Sequence, residues 1–410
     1  MSPPARLLLV DPYVGGHHAD HLEWLGNAWR SRDLAGDLVI AAAPDLFARH
    51  PDLYALAGEG GRGRVRLHLL PDAVPFESPM SLAESAWRHV GLIGRLLNQV
   101  PSERLFAMYL DHAQFALALR RRRGGPRCSG LLFRPEAHLP PPASGSEKVR
   151  RFRKAALLRA MMSSPSTEAV FTLDPTAVEA LRALSGRANV HAVPDPAPVE
   201  HAEGADIDNA RTRYAVGPDR SLWVLPGALG ERKGVLALAA ALPHLGVETQ
   251  RRISILFAGE AVEGEESAVE SAVENIRSST EVHIVWDRRF MPTDELQATI
   301  ARSDVVLAPY VDHVGSSGIV MRAAAAGLPI VTQSNGLIGQ QARHHRLGRV
   351  VDPTDPEAFA RILNQTVDDP MGDFDAHQAL AFASSHTVEA YADAILGPLG
   401  LLSLSTVAIS

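Results

Sequence analysis

Cysteine is almost missing from this chain. Cys128 stands alone among 410 residues, which excludes an internal disulfide and fits a reducing compartment. Its neighbours Arg127 and Ser129 make no nucleophile and base pair, so Cys128 reads as a small, partly buried apolar residue. Long apolar runs are missing too: Leu7 to Val10 ends at Asp11, too short for a secretion signal, and nothing approaches the roughly 20 residues of a membrane span. A cytoplasmic location is the expectation. There is no excess of positive charge, and a formal net charge of −7 argues against general nucleic-acid binding. A G-x-G-x-x-G dinucleotide fingerprint and short-period repeats are also absent.

What is present is ordinary soluble-protein material. With 46% hydrophobic and 21% charged residues the chain has enough to fill a core, and its length favours two domains. Short apolar runs alternate with helical spacings. Leu7–Val10, Leu38–Ala43, Val65–Leu70, Leu105–Leu110, Gly130–Phe133, Ala169–Leu173 and Val190–Val193 read as strands, with helices over Ala19–Arg30, Ser81–Gln99, Ala113–Arg123, Lys148–Met162 and Pro175–Leu184. The Pro194-Asp195-Pro196-Ala197-Pro198 run and the polar residues after it break this pattern, so residues 201–219 are expected to link two domains. The alternation restarts with Leu222–Leu225 and continues through Ile253–Gly259, Val282–Val285 and Ser303–Tyr310. A terminal helix is expected over Thr387–Leu396, stopped by Gly397-Pro398. The fold class is α/β with parallel sheets, divided into residues 1–200 and 220–386.

The stretch Gly315-Ser316-Ser317-Gly318 follows the strand that stops at Pro309 and opens a short helix leading to Gly327-Leu328-Pro329. Open α/β sheets bind ligands at that edge, and the turn's N–H groups with the helix N-terminus suit an anion, above all a phosphate. A second such loop runs from Gly227 to Gly234 and carries Arg232 and Lys233.

Taken together, Gly227–Gly234 with its Arg-Lys-Gly ending, Leu256-Phe257-Ala258-Gly259-Glu260, Asp304–Pro309, Ala325–Val331 and Val351–Pro356 resemble, in order and spacing, the donor domain of a glycosyltransferase of GT-B fold, family 4. The resemblance covers residues 220–390 and reaches the first half only in layout. It implies two facing Rossmann-like domains with an interdomain cleft, the last helix crossing back towards the first domain. It also implies a nucleotide-sugar co-substrate, no separate cofactor, retention of configuration and no metal. One departure is plain. The family usually carries a glutamate pair here, the second holding the donor ribose. Counting back from Gly327 puts Arg322 at the second position and Val314 or Gly315 at the first. A guanidinium cannot accept hydrogen bonds from hydroxyls but suits phosphate or carboxylate.

The resemblance and the loop chemistry together nominate Gly227, Arg232, Lys233, Glu260, Gly315, Ser316, Ser317, Gly318 and Arg322 for the donor side, with Lys233 on the pyrophosphate. The plainer alternatives are a solvated charge for Lys233 and a tight turn for 315–318. His138 matches the position of a family histidine at the transfer centre. His112, at another strand end, competes with it, and each could be an ordinary loop histidine. Gly15, Gly16, His17 and His18 form a candidate acceptor-side loop; no third ligand accompanies the two histidines, so no metal is expected. The basic helix Lys148–Met162 and Arg120–Arg123 read as solvated faces or as a weak membrane-surface contact. Two further function classes stay open: a non-catalytic GT-B relative binding a partner or an anionic ligand, and a GT-B epimerase or phosphorylase.

Overall fold

The computed structural model describes residues 6–14, 18–60, 63–70, 82–119, 125–139, 144–186, 189–196 and 210–402. The chain divides into two compact units, one holding the described residues up to Pro194 together with those from Val388 on, the other running from Asp195 to Thr387.

The first unit contains β1 (Leu7–Asp11), α1 (His18–Ser31), β2 (Gly36–Ala42), α2 (Pro44–Arg49), β3 (Gly58–Gly60), β4 (Gly63–Leu69), α3 (Leu82–Gln99), β5 (Arg104–Ala107), α4 (Leu110–Leu119), β6 (Arg127–Leu132), α5 (Gly145–Met162), β7 (Thr167–Thr172), α6 (Val178–Ser185) and β8 (Asn189–Ala192). Its sheet order is β3-β4-β2-β1-β5-β6-β7-β8, parallel except for β3, which pairs antiparallel to β4. That short strand has no apolar pattern and was not expected from the sequence. Strand β1 is buried on both faces, as a continuous apolar run requires: Leu7 and Leu9 enter one core layer, Leu8 and Val10 the other.

The second unit contains α7 (Ala210–Arg213), β9 (Ser221–Pro226), α8 (Val235–Ala241), α9 (Val247–Arg251), β10 (Ile253–Ala258), α10 (Glu266–Ser279), β11 (His283–Asp287), α11 (Thr293–Ala301), β12 (Val305–Ala308), α12 (Gly318–Ala325), β13 (Ile330–Gln333), α13 (Gly336–His344), β14 (Gly348–Val351), α14 (Pro356–Asp368) and α15 (Ala376–Ser384). Its six strands are all parallel, in the order β11-β10-β9-β12-β13-β14. Helix α16 (Val388–Leu396) then packs in the first unit, where Tyr391, Ile395 and Leu396 join the core of α1 and β1.

Three boundaries differ from the sequence reading. Strand β5 ends at Ala107, and Leu110, expected to close it, opens α4, so Asp111 and His112 lie in a helical first turn rather than in a loop. His18 likewise begins α1 instead of preceding it. Residues 210–219, expected as linker, include a segment docked on the second unit: Tyr214 is buried and donates to Asp287 Oδ2 at 2.9 Å, and Arg211 donates to Asp304 Oδ2 at 2.8 Å. Two specific anchors outweigh the polar composition that suggested a linker. The rest of that stretch, 201–209, lies outside the described residues, as do Arg120–Arg123.

Candidate active site

In each sheet the strand order reverses at one place, between β1 and β5 in the first unit and between β9 and β12 in the second. A reversal sends the flanking connections to opposite faces and leaves a crevice beyond the strand ends, where ligands of open α/β sheets bind. The residues of chemical interest gather at both places.

In the second unit the loop after β9 begins at Gly227, with φ of 104°, and ends at Gly234, with φ of 80°. A Cβ at Gly234 would lie 2.0 Å from the Pro309 carbonyl oxygen, so only glycine lets this loop pass the end of β12. Glu265 secures the loop by accepting the Glu231 N–H at 2.7 Å. Lys233 then folds back: a Cβ on Gly227 would be 3.4 Å from its Nζ. That ammonium donates to Tyr310 Oη at 2.8 Å and lies 4.2 Å from the centroid of the same ring. Tyr310 Oη is in turn 3.2 Å from Ser317 Oγ. Ser317 is the N-cap of α12 but gives its N–H groups no side-chain cap, so the first turn keeps donors for another acceptor. A Cβ on Gly318 would meet nothing within 4 Å, which marks open space in front of that turn.

His313 braces the 315–318 turn from behind. Its Nε2 lies 2.8 Å from the Ser316 carbonyl, and its Nδ1 is 3.5 Å from Arg232 Nη1. Gln333 holds the His313 backbone from both sides, accepting from its N–H at 3.3 Å and donating to its carbonyl. The neighbouring Asp312 has φ of 52°, a left-handed conformation that costs a non-glycine residue energy and that this network holds in place. Arg322 is buried and donates to Gln297 Oε1 on α11 at 3.3 Å. Glu260 is exposed beyond β10, and its carbonyl accepts the Leu229 N–H at 2.8 Å.

In the first unit a ring cluster surrounds the ends of β1 and β5. His18 Nδ1 is 2.7 Å from Oδ2 of the fully buried Asp11, whose Oδ1 accepts the Tyr13 N–H at 3.1 Å. Tyr13 Oη is 3.2 Å from His89 Nε2, and His89 Nδ1 is 2.7 Å from the Ser85 carbonyl. A carbonyl only accepts, so the hydrogen sits on Nδ1 and Nε2 receives the Tyr13 hydroxyl. Tyr109 stacks on His112 at 5.0 Å between centroids and meets Tyr13 at 5.3 Å. Burial, then the Asp11 carboxylate, pushes the Tyr13 phenol up and keeps it protonated. Burial lowers His89; desolvation lowers His112, with Arg134, Lys154 and His18 adding repulsion. Both imidazoles are therefore neutral near pH 7. Asp111 anchors the start of α4 by accepting N–H bonds from Phe133 and Arg134 at 2.8 and 3.1 Å.

His138 has a different partner. Its Nε2 is 3.1 Å from Oδ2 of the buried Asp174, an ion-pair contact off hydrogen-bonding alignment, and its Nδ1 takes no hydrogen bond among the described residues. Gly15, Gly16 and His17 lie outside the described residues. The structure thus joins Gly227, Lys233 and Ser317 through Tyr310, and Arg232 to Ser316 through His313. It gathers His18 and His112 into one ring cluster. Sequence reasoning missed Tyr310, His313, Asp11, Tyr13, His89 and Tyr109. Asp11, a charged residue ending an apolar strand, and Tyr310, directly after Pro309, carried a legible signal; His89, in mid-helix, carried none.

Residues 220–369 match the family model for "Glycosyl transferases group 1". The matched residues all lie within the second unit. The chain is also similar to a GDP-mannose-dependent alpha-(1-6)-phosphatidylinositol monomannoside mannosyltransferase of Mycolicibacterium smegmatis, 28% identical over 255 residues, which cover 53% of this chain and 63% of that relative. This chain therefore spans less than two thirds of the length of the curated relative. Among solved structures, Anabaena HepE in complex with UDP and glucose superposes with a TM-score of 0.67 at 17% identity, over 97% of this chain and 99% of that one. A UDP-forming alpha,alpha-trehalose-phosphate synthase of Burkholderia vietnamiensis superposes at 0.71 and 14%, over 97% and 100%. At such identities the likeness is one of fold, and the fold is GT-B. Among the described residues no helix is long and apolar enough to cross a membrane.

Proposed function

We propose that this protein moves a glycosyl group from a nucleotide sugar to an acceptor hydroxyl. The observation that carries the reading is Lys233 Nζ, held over Gly227 and tied through Tyr310 to Ser317 at the strand-order reversal of the unit that holds the glycosyltransferase group 1 match. A fixed ammonium beside an uncapped helix start is matched to the charge that grows on a departing diphosphate. On this reading Lys233, the 315–318 N–H groups and Arg232 neutralise the leaving group, and no metal is needed for that step. Arg322, bonded to Gln297, supports α12 and takes no ribose contact of the kind a glutamate makes; the ribose is held by other groups. The acceptor binds on the first unit near His18, Tyr13 and Tyr109, and a neutral His112 or the Asp174-oriented His138 receives the hydroxyl proton. Configuration is retained, as the family resemblance implies. The printed names of the relatives, which include a GDP-mannose-dependent enzyme and a structure with UDP and glucose, support a nucleotide-sugar donor and leave the base open.

The test is a thermal-shift screen of nucleoside diphosphates and their sugars, followed by transfer and donor-hydrolysis assays. A specific ligand at a hundred times its Kd stabilises by about 2.7 kcal/mol, a readily measured shift. We expect one base to stand out and Lys233→Ala to reduce its effect at the same ligand concentration. If no nucleotide raises the melting temperature and neither transfer nor hydrolysis appears across the panel, the proposal fails.

A further inference from the structure

Helix α5 is built the wrong way round for a purely structural surface helix. Its core side is supplied by Leu158, Met161 and Met162, while Val149 and Phe152 on the opposite side are 59% and 75% exposed. Helical spacing continues that outer stripe through the exposed Ala156 and Ala160, and flanks it with Lys148 and Arg159 on one side and Arg153 on the other. The helix carries six basic residues, Lys148, Arg150, Arg151, Arg153, Lys154 and Arg159, against Glu147 alone, within a chain of net charge −7. Arg150, Arg151 and Lys154 spend their charge on Glu136 and Glu147, at 2.6 to 4.0 Å. Lys148, Arg153 and Arg159, the three that border the apolar stripe, make no ion pair among the described residues.

Exposed rings are not confined to α5. Helices α3, α4 and α5 lie side by side on one face of the sheet. Trp87 on α3 is 62% exposed and edges against Phe115 on α4, with ring centroids 5.5 Å apart. A tryptophan, a phenylalanine and a valine exposed on one helical layer, edged by unpaired cations, match what a bilayer interface takes up: rings and aliphatic side chains at headgroup depth, cations against lipid phosphates. Nucleic acid has no use for the apolar stripe, and a solvated face has no use for Phe152.

We propose that the outer surface of α3, α4 and α5 docks the protein on an anionic lipid surface. Phe152, Val149 and Trp87 enter the interface, and Lys148, Arg153 and Arg159 meet the lipid charge. This does not depend on the transfer reaction, because none of these residues belongs to the candidate active site.

The full chain is sedimented with vesicles of phosphatidylcholine alone and of phosphatidylcholine with phosphatidylglycerol, at low and physiological salt. Binding should require the anionic lipid and weaken with salt. Lys148→Gln, Arg153→Gln and Arg159→Gln should each cost about fivefold in apparent affinity. Phe152→Ser with Val149→Ser should abolish binding, with the far-ultraviolet circular dichroism unchanged because both side chains are mostly exposed; Phe152→Trp should restore it. Equal binding to both vesicle types, no binding, or affinities unaffected by these substitutions would overturn the proposal. So would a patch whose substitution changes only the sedimentation coefficient of the protein alone, since that is the behaviour of a contact between copies.

Discussion

Lys233 does more than carry a charge. Its ammonium is held by one tyrosine through both the hydroxyl and the ring face, so on the proposed function its position is set before the diphosphate arrives. Removing it should cost the diphosphate about 1.5–3 kcal/mol, the scale of a hydrogen bond to a charged group, or roughly ten- to a hundredfold in Kd. Tyr310→Phe keeps the ring but frees Lys233 and Ser317. We expect a smaller loss, about 0.5–1.5 kcal/mol, with the fold intact. Calorimetric titration of both variants with the best diphosphate checks the order, and Tyr310→Phe binding more weakly than Lys233→Ala would show that the two do not act as described. The histidines make a pH statement. His89 and His112 have folded pKa values below their ordinary value, so once the pH drops below about 6.5 the unfolded chain binds more protons than the folded one. Stability is full above that pH and is lost as it falls towards the depressed folded values. Protonating His89 at Nε2 also removes the acceptor for Tyr13. The first unit should melt at a lower temperature at pH 5 than at pH 7.5, and His89→Gln should flatten that difference; an unchanged slope in the variant would assign the effect elsewhere.

At the scale of elements, two pieces hold their units in shape. The Gly227–Gly234 loop depends on glycine at its far end, where any side chain would strike Pro309 in a left-handed backbone. Gly234→Ala is expected to destabilise the second unit by more than 1 kcal/mol and to weaken nucleotide binding through displacement of Lys233, while Gly318→Ala, which meets open space, should fold normally. Denaturant titration and nucleotide binding of the pair separate a fold effect from a site effect. Helix α16 is the other piece. Tyr391 is fully buried and its ring lies 5.2 Å from His21 and 5.5 Å from Trp24; Arg32 ties α1 to α16 through the Glu389 carbonyl and the Asp393 carboxylate. Tyr391→Ala should remove about 3–5 kcal/mol from the unit that contains α1.

At the scale of the molecule the two units have separate cores: Leu7, Trp29 and Phe106 belong to one, Trp223, Phe257 and Phe359 to the other. Separate cores allow separate unfolding. Calorimetry should resolve two transitions, with Tyr391→Ala lowering one and Phe359→Ala the other by an amount fitting about 3–5 kcal/mol. A single transition that both variants move together would mean that the units unfold as one.

Much of this was open to reading along the chain, for reasons that differ by feature. Strands buried on both faces need uninterrupted apolar runs, and turns that pass close to backbone need glycine. Leu7–Val10, Leu222–Leu225 and the glycines at 227 and 234 therefore announced an α/β fold and a tight loop after the first strand of the second unit. The order of those pieces also carried the resemblance to a glycosyltransferase donor domain. What the tertiary structure alone decided are the meetings between residues far apart in sequence. Tyr310 reaches Lys233 across 77 positions and Tyr13 reaches His89 across 76, and no local pattern encodes such a pair, because it depends on strand order and not on spacing. The same holds for Arg322, whose hydrogen bond to Gln297 on α11 no local spacing encodes. The outward stripe of α5 follows the same rule. Periodicity showed that Val149, Phe152, Ala156 and Ala160 share a face, but only packing determined that this face looks to solvent, because a helix turns its other side inward when Leu158, Met161 and Met162 are the residues that reach the sheet.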